Sequence, residues 1–130
     1  MEDNTFAQAV GGPVPKEELG VTLTHEHLFM DGSSCFELDD SDDAEEFANL
    51  PFTPDLYDRM LTSSCSNHDN LNLNDSEIVV SEVKDSLDLG VRTIVDVTSE
   101  GIGRDPQGLR ILSERTGVPI VMGCGWYCEY

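Results

Sequence analysis

Basic residues are scarce in this chain. Seven Lys and Arg stand against 26 Asp and Glu, which leaves a formal net charge of −19 and a pI near 4.1. A nucleic-acid binder needs a basic face to neutralise phosphates and release counterions, so that class is excluded. An anionic membrane surface would repel the chain for the same reason. Long apolar runs are missing too: no stretch approaches the ~20 apolar residues of a membrane helix. The acidic start Met1-Glu2-Asp3-Asn4 has no apolar leader core. The cysteines, at positions 35, 65, 124 and 128, form neither a CxxC pair nor the framework of a short secreted protein. Cys124 and Cys128 are expected to be small buried hydrophobes, and the expected compartment is the reducing cytoplasm.

The acidic excess is concentrated, with ten Asp or Glu between positions 31 and 58 before the base Arg59. A calcium loop needs ordered oxygen ligands around a tight glycine turn, and Asp39-Asp40-Ser41-Asp42-Asp43 lacks that glycine. The run therefore reads as a solvated, mobile surface loop. A salt-adapted source would also account for the excess.

The chain has 130 residues and is 38% hydrophobic. That suits one domain, which at this size buries roughly two-thirds of its unfolded surface. Residues 1–20 read as an irregular lead-in broken by Gly11-Gly12-Pro13 and Pro15. Val21-Thr22-Leu23-Thr24-His25-Glu26-His27-Leu28 is rich in β-branched and apolar residues and bounded by Gly20 and Asp31-Gly32, which predicts a strand. Residues 31–75 are a polar excursion, with a short helix possible near 54–61.

From residue 76 to the end the pattern is α-β-α-β. Asn74 to Glu77 reads as a capping box, with Val79, Val83 and Leu87 on one helical face and Gly90 at the end. Val91 to Thr98 follows as a strand. Asp105-Pro106 starts a second helix with Leu109 and Leu112, Gly117 closes it, and Pro119-Ile120-Val121-Met122 begins another strand. Such alternation implies right-handed crossovers and a parallel sheet.

The informative motif is His25-Glu26-His27. On a strand, residues i and i+2 share a face, so both imidazoles project together while Glu26 points away, to pack or pair behind the strand. Two neutral imidazoles converging from one strand suit a divalent metal such as zinc. Other residues lead less far. Gly101-x-Gly103 is too short for a dinucleotide fingerprint. Arg104 and Asp105 are expected to fix a helix start, His68 lies in a polar loop, and Ser33-Ser34 and Ser63-Ser64 lack a nucleophile-elbow context.

The segment Gly20 to Leu28 resembles the first-strand signature of the phosphotriesterase family, within the amidohydrolase superfamily. Pro15-Lys16-Glu17-Glu18-Leu19 resembles the lead into that signature, and Gly101-Ile102-Gly103-Arg104-Asp105 resembles the turn after the second strand. Gly123-Cys124-Gly125-Trp126-Tyr127 resembles the glycine-rich end of the third. Asn70-Leu71-Asn72-Leu73-Asn74 resembles the phosphotriesterase-related branch more than the bacterial organophosphate hydrolases.

The resemblance implies an α/β fold in which residues 1–130 form about three βα units of a (β/α)8 TIM barrel. It implies a metal-dependent hydrolase of small molecules with ester, lactone, phosphotriester or N-acyl amide bonds. In the complete family fold two metal ions share a hydroxide and a carboxylated lysine. His25 and His27 match the family's first-strand ligands, and Tyr127 stands where an aromatic lines the substrate pocket. The family's bridging lysine comes from strand four, whereas the last lysine here is Lys84. The chain alone is therefore expected to be incomplete and inactive, with no general acid or base assignable. The alternative is a truncated or non-enzymatic paralogue.

Overall fold

The computed structural model describes residues 5–126. The chain opens with a hairpin, β1 (Phe6–Ala9) against β2 (Gly12–Pro15), where an irregular lead-in is expected from the prolines. Phe6 pairs with Pro15 and Gln8 with Pro13, while Lys16 N–H donates to Thr5 C=O at 3.2 Å. The two prolines thus alternate with the ladder-bonded positions, where a missing N–H removes nothing from the pairing. Val10 N–H donates to Ile120 C=O at 2.8 Å, tying the hairpin to the main sheet.

That sheet has three strands in the order β3 (Val21–Glu26), β6 (Val91–Asp96), β7 (Ile120–Met122), all parallel. Between β3 and β6 the chain makes a second small ladder, β4 (Met30–Asp31) with β5 (Asn72–Leu73), and two short helices, α1 (Ala44–Ala48) and α2 (Tyr57–Met60). Helix α3 (Ser76–Asp88) leads into β6, and α4 (Pro106–Thr116) joins β6 to β7. Both helices pack on one side of the sheet, where Val80, Val83, Ile94, Leu109, Leu112, Val118 and Ile120 form the main core.

The helix ends show local chemistry at work. Asp75, rather than Asn74, caps α3, its carboxylate accepting from the N–H groups of Glu77 and Ile78. Glu77 is thereby too close to the cap to complete a capping box, and its carboxylate instead receives two hydrogen bonds from Arg115 of α4, at 2.8 and 2.9 Å. Asp105 caps α4 by accepting from Gly108 N–H, with Pro106 in the first turn, and Gly117 ends it at φ +76°.

The acidic stretch is not a bare solvated loop. The β4–β5 ladder closes its neck, and Phe47, fully buried, sits under the guanidinium of Arg59 at 3.7 Å from the ring centroid. Arg59 bonds Asp39 and Asp43, each at 3.0 Å. Buried Asn67 donates to the carbonyls of Phe47 and Leu50 and accepts from Asn70 N–H. Hydrogen bonds from Ser41, aided by Arg59, hold the Asp39 carboxyl down at about 2. One arginine, one phenylalanine and one asparagine thus organise a run whose composition alone reads as loop.

Candidate metal centre

The three parallel strands end on one side of the sheet, and the residues of interest gather there. The β3–β6 register shifts between Leu23 and Glu26: Leu23 pairs with Ile94, but Glu26 pairs with Asp96. The first strand therefore carries a bulge across Thr24-His25, a device that re-aims side chains and recurs beside active sites. Its effect is visible in Leu23 and Glu26. Although three apart, they line the same groove against Val79 and Val83 of α3. His27 and Leu28 border the same groove.

His25 is exposed near the strand end, and His27, half-buried, follows directly after it. Their rings meet edge to face, with centroids 5.8 Å apart and planes at 73°. His27 is held from the next strand: its Nδ1 lies 2.9 Å from Thr98 Oγ1. Thr98 is itself tied to Asp96, whose Oδ1 accepts from Thr98 N–H at 2.9 Å and whose Oδ2 lies 3.3 Å from Thr98 Oγ1. The same Oδ2 accepts from Leu28 N–H at 2.8 Å. Asp96 is fully buried and Thr98 nearly so. One carboxylate therefore grips the backbone just past the histidine pair and, through a hydroxyl, one of the rings.

Among the described residues, no group of three His, Cys, Asp or Glu side chains is arranged to hold a metal ion. His68 lies apart, stacked on Phe36 at 4.0 Å. Arg104 pairs with Glu100 at 3.4 Å, and Asp105 serves as a helix cap. Cys124 is exposed rather than buried, because it falls beyond the end of β7 and outside the core. Cys128 and Tyr127 lie outside the described residues. Trp126, 81% exposed, bridges in parallel to Glu100 at the same strand-end side.

The sequence profile of the phosphotriesterase family matches residues 5–130. The chain belongs to that family. It is similar to an N-acetyltaurine hydrolase of Tetraodon nigroviridis, 38% identical over 94% of this chain and 35% of that protein. It is also similar to a phosphotriesterase-related protein of Nematostella vectensis, 35% identical over 96% of this chain and 37% of that one. A solved resiniferatoxin-binding protein from Rhodobacter sphaeroides superposes with a TM-score of 0.88 at 36% identity, covering 95% of this chain and 35% of that chain. The chain thus spans a little over a third of the length of the curated relatives it matches. Its sheet and crossover helices are the N-terminal portion of a (β/α)8 barrel, with β3, β6 and β7 as three consecutive parallel strands. In such barrels the C-terminal strand ends carry the chemistry, and the histidine pair, Asp96 and Thr98 all lie there in this family member.

Sequence reasoning singled out the histidines but passed over Asp96 and Thr98. The signal was present: two polar residues at alternate positions, Asp96 at the end of β6 and Thr98 just beyond it, close a mostly apolar run.

Proposed function

We propose that this chain supplies His25 and His27 as the first-strand ligands of a divalent-metal hydrolase of the phosphotriesterase-related type. The pair of rings at the end of the first parallel strand is the observation that carries the reading. A zinc–imidazole bond of about 2.0–2.1 Å puts each ring centroid roughly 3 Å from the ion, so two rings sharing one ion stand roughly 5–6 Å apart. The separation here is 5.8 Å. The donor set, two borderline nitrogen ligands, suits zinc among the available ions. The family resemblance implies two ions in the complete fold, and the two histidines are this chain's share.

The chemistry such a centre supplies is Lewis acidity, which activates water near neutral pH and polarises the scissile oxygen. The chain's own residues have narrower tasks. His25 and His27 hold the ion, and the bulge aims them. By the family resemblance, Tyr127 is this chain's candidate substrate-binding residue. The substrate class is a small molecule with an acyl bond, and the similarity to an N-acetyltaurine hydrolase favours N-acyl amides or carboxylic esters over phosphotriesters. Free thiols at Cys35, Cys65 and Cys124 support a reducing, cytoplasmic setting. Among the described residues, no helix is long and apolar enough to cross a membrane.

The experiment is metal analysis of the full-length protein together with hydrolysis of a panel of N-acyl amides, esters, lactones and phosphotriesters. Zinc-dependent turnover that disappears in His25→Ala and His27→Ala supports the reading. Turnover and zinc content unchanged in both variants overturn it.

A further inference from the structure

The ring of His27 is held by a contact that either partner could donate, since Nδ1 and Thr98 Oγ1 are 2.9 Å apart. The direction matters. If the threonine hydroxyl donates to Nδ1, the ring proton sits on Nε2 and that nitrogen has no free lone pair. If Nδ1 carries the proton, Nε2 is free to bind.

Asp96 decides between the two. It is 0% exposed, so it draws its stabilisation from donors within the fold. It already accepts from Leu28 N–H at 2.8 Å and Thr98 N–H at 2.9 Å. The Thr98 hydroxyl lies 3.3 Å from its Oδ2, and that hydroxyl has a single hydrogen to give. A hydrogen bond to a carboxylate is roughly twice as strong as one between neutral groups. The hydrogen therefore goes to Asp96, and Thr98 Oγ1 presents a lone pair to Nδ1–H.

We propose that Asp96 and Thr98 are positioning residues that fix His27 as the Nδ1–H tautomer and leave Nε2 for the metal. The metal half of this inference rests on the ligand reading above; the tautomer half does not. The chain from imidazole through hydroxyl to carboxylate does the work that a directly bonded carboxylate does behind many metal-binding histidines. Because Asp96 also holds Leu28 N–H, one buried group sets both the path of the backbone and the protonation of the ring.

The test reads the tautomer directly, from long-range proton–nitrogen correlations of the metal-stripped full-length protein carrying isotope-labelled histidine. Wild-type His27 is expected as Nδ1–H. Thr98→Val, which keeps the shape and removes the hydroxyl, is expected to move the ring toward Nε2–H, and Thr98→Ser to restore it. Zinc affinity measured against a competing chelator is expected to fall about 10–100-fold in Thr98→Val and to recover in Thr98→Ser. Wild-type His27 found as Nε2–H overturns the proposal whether or not any variant folds, and so does a tautomer that Thr98→Val leaves unchanged. Zinc affinity unchanged in His27→Ala would overturn the ligand assignment while leaving the tautomer result to stand or fall on its own.

Discussion

Thr98 Oγ1 lies 2.9 Å from Nδ1 of His27, 71 residues away in sequence. The contact joins the ends of two neighbouring barrel strands, and its far side is anchored on Asp96. The site is thus built across strands from the start, which is why removing any one member reaches the others.

Asp96 is the member whose loss reaches stability as well. Asp96→Ala strands the part-buried N–H of Leu28 and the buried N–H of Thr98, and each hydrogen bond to a charged acceptor contributes about 1.5–3 kcal/mol. A loss on the order of 3 kcal/mol is expected in urea unfolding of the full-length protein. A change within about 0.5 kcal/mol, the range of ordinary surface substitutions, would show that the carboxylate is not the anchor described.

Leu112 tests the helix-facing core. It is 1% exposed and packs within the cluster that includes Leu109 and Ile120. Leu112→Ala should lower stability by about 2–5 kcal/mol through lost transfer energy and the cavity left behind. Thermal unfolding of the variant checks the value, and a near-neutral result would mean that the two helices do not share a packed core with the sheet.

Gly103 holds two segments together. Its φ is +83°, and a Cβ there would lie 2.6 Å from the backbone nitrogen of Asp31, whose N–H donates to Ile102 C=O at 3.0 Å. Gly103→Ala must therefore strain the turn and push Asp31 away, at a cost of about 1–3 kcal/mol. Faster amide exchange at Asp31 is the readout. Unchanged exchange would contradict the close approach.

The acidic lobe should respond to acid in a defined window. Asp39 has its carboxyl lowered from 3.8 to about 2, chiefly by Ser41 and also by Arg59. A group depressed on folding contributes stability above its unfolded value and loses it as pH falls through the folded one. The lobe around Phe47 is therefore expected to loosen between about pH 4 and about pH 2. The side-chain amide signals of Asn67, followed by NMR as acid is added, report it. Loosening complete well above pH 4 would contradict the assignment.

Much of this was legible in the sequence. The alternation after residue 76 gave the helices, strands and parallel order, because helix caps, apolar spacing and terminal glycines are local signals. His25 and His27 stood out because few other residues compete for their chemistry. The remainder depended on contacts distant in sequence. The hairpin needs knowledge of which N–H groups of residues 13–16 face the ladder. The lobe at 31–75 is organised by Arg59 reaching back to Asp39, Asp43 and Phe47. The cap falls on Asp75 rather than Asn74, and Glu77 is left to pair with Arg115 on another helix, a partner 38 residues away that local spacing does not reveal. Thr98 looked like one more β-branched residue at a strand end until the fold set it against a histidine.

The most direct test of the central claim is an anomalous diffraction experiment at the zinc edge on crystals of the full-length protein grown with zinc. The account predicts a peak within about 2.0–2.1 Å of a ring nitrogen of both His25 and His27, with Nε2 the nitrogen engaged in His27. A zinc peak elsewhere, or none beside this pair, would contradict it.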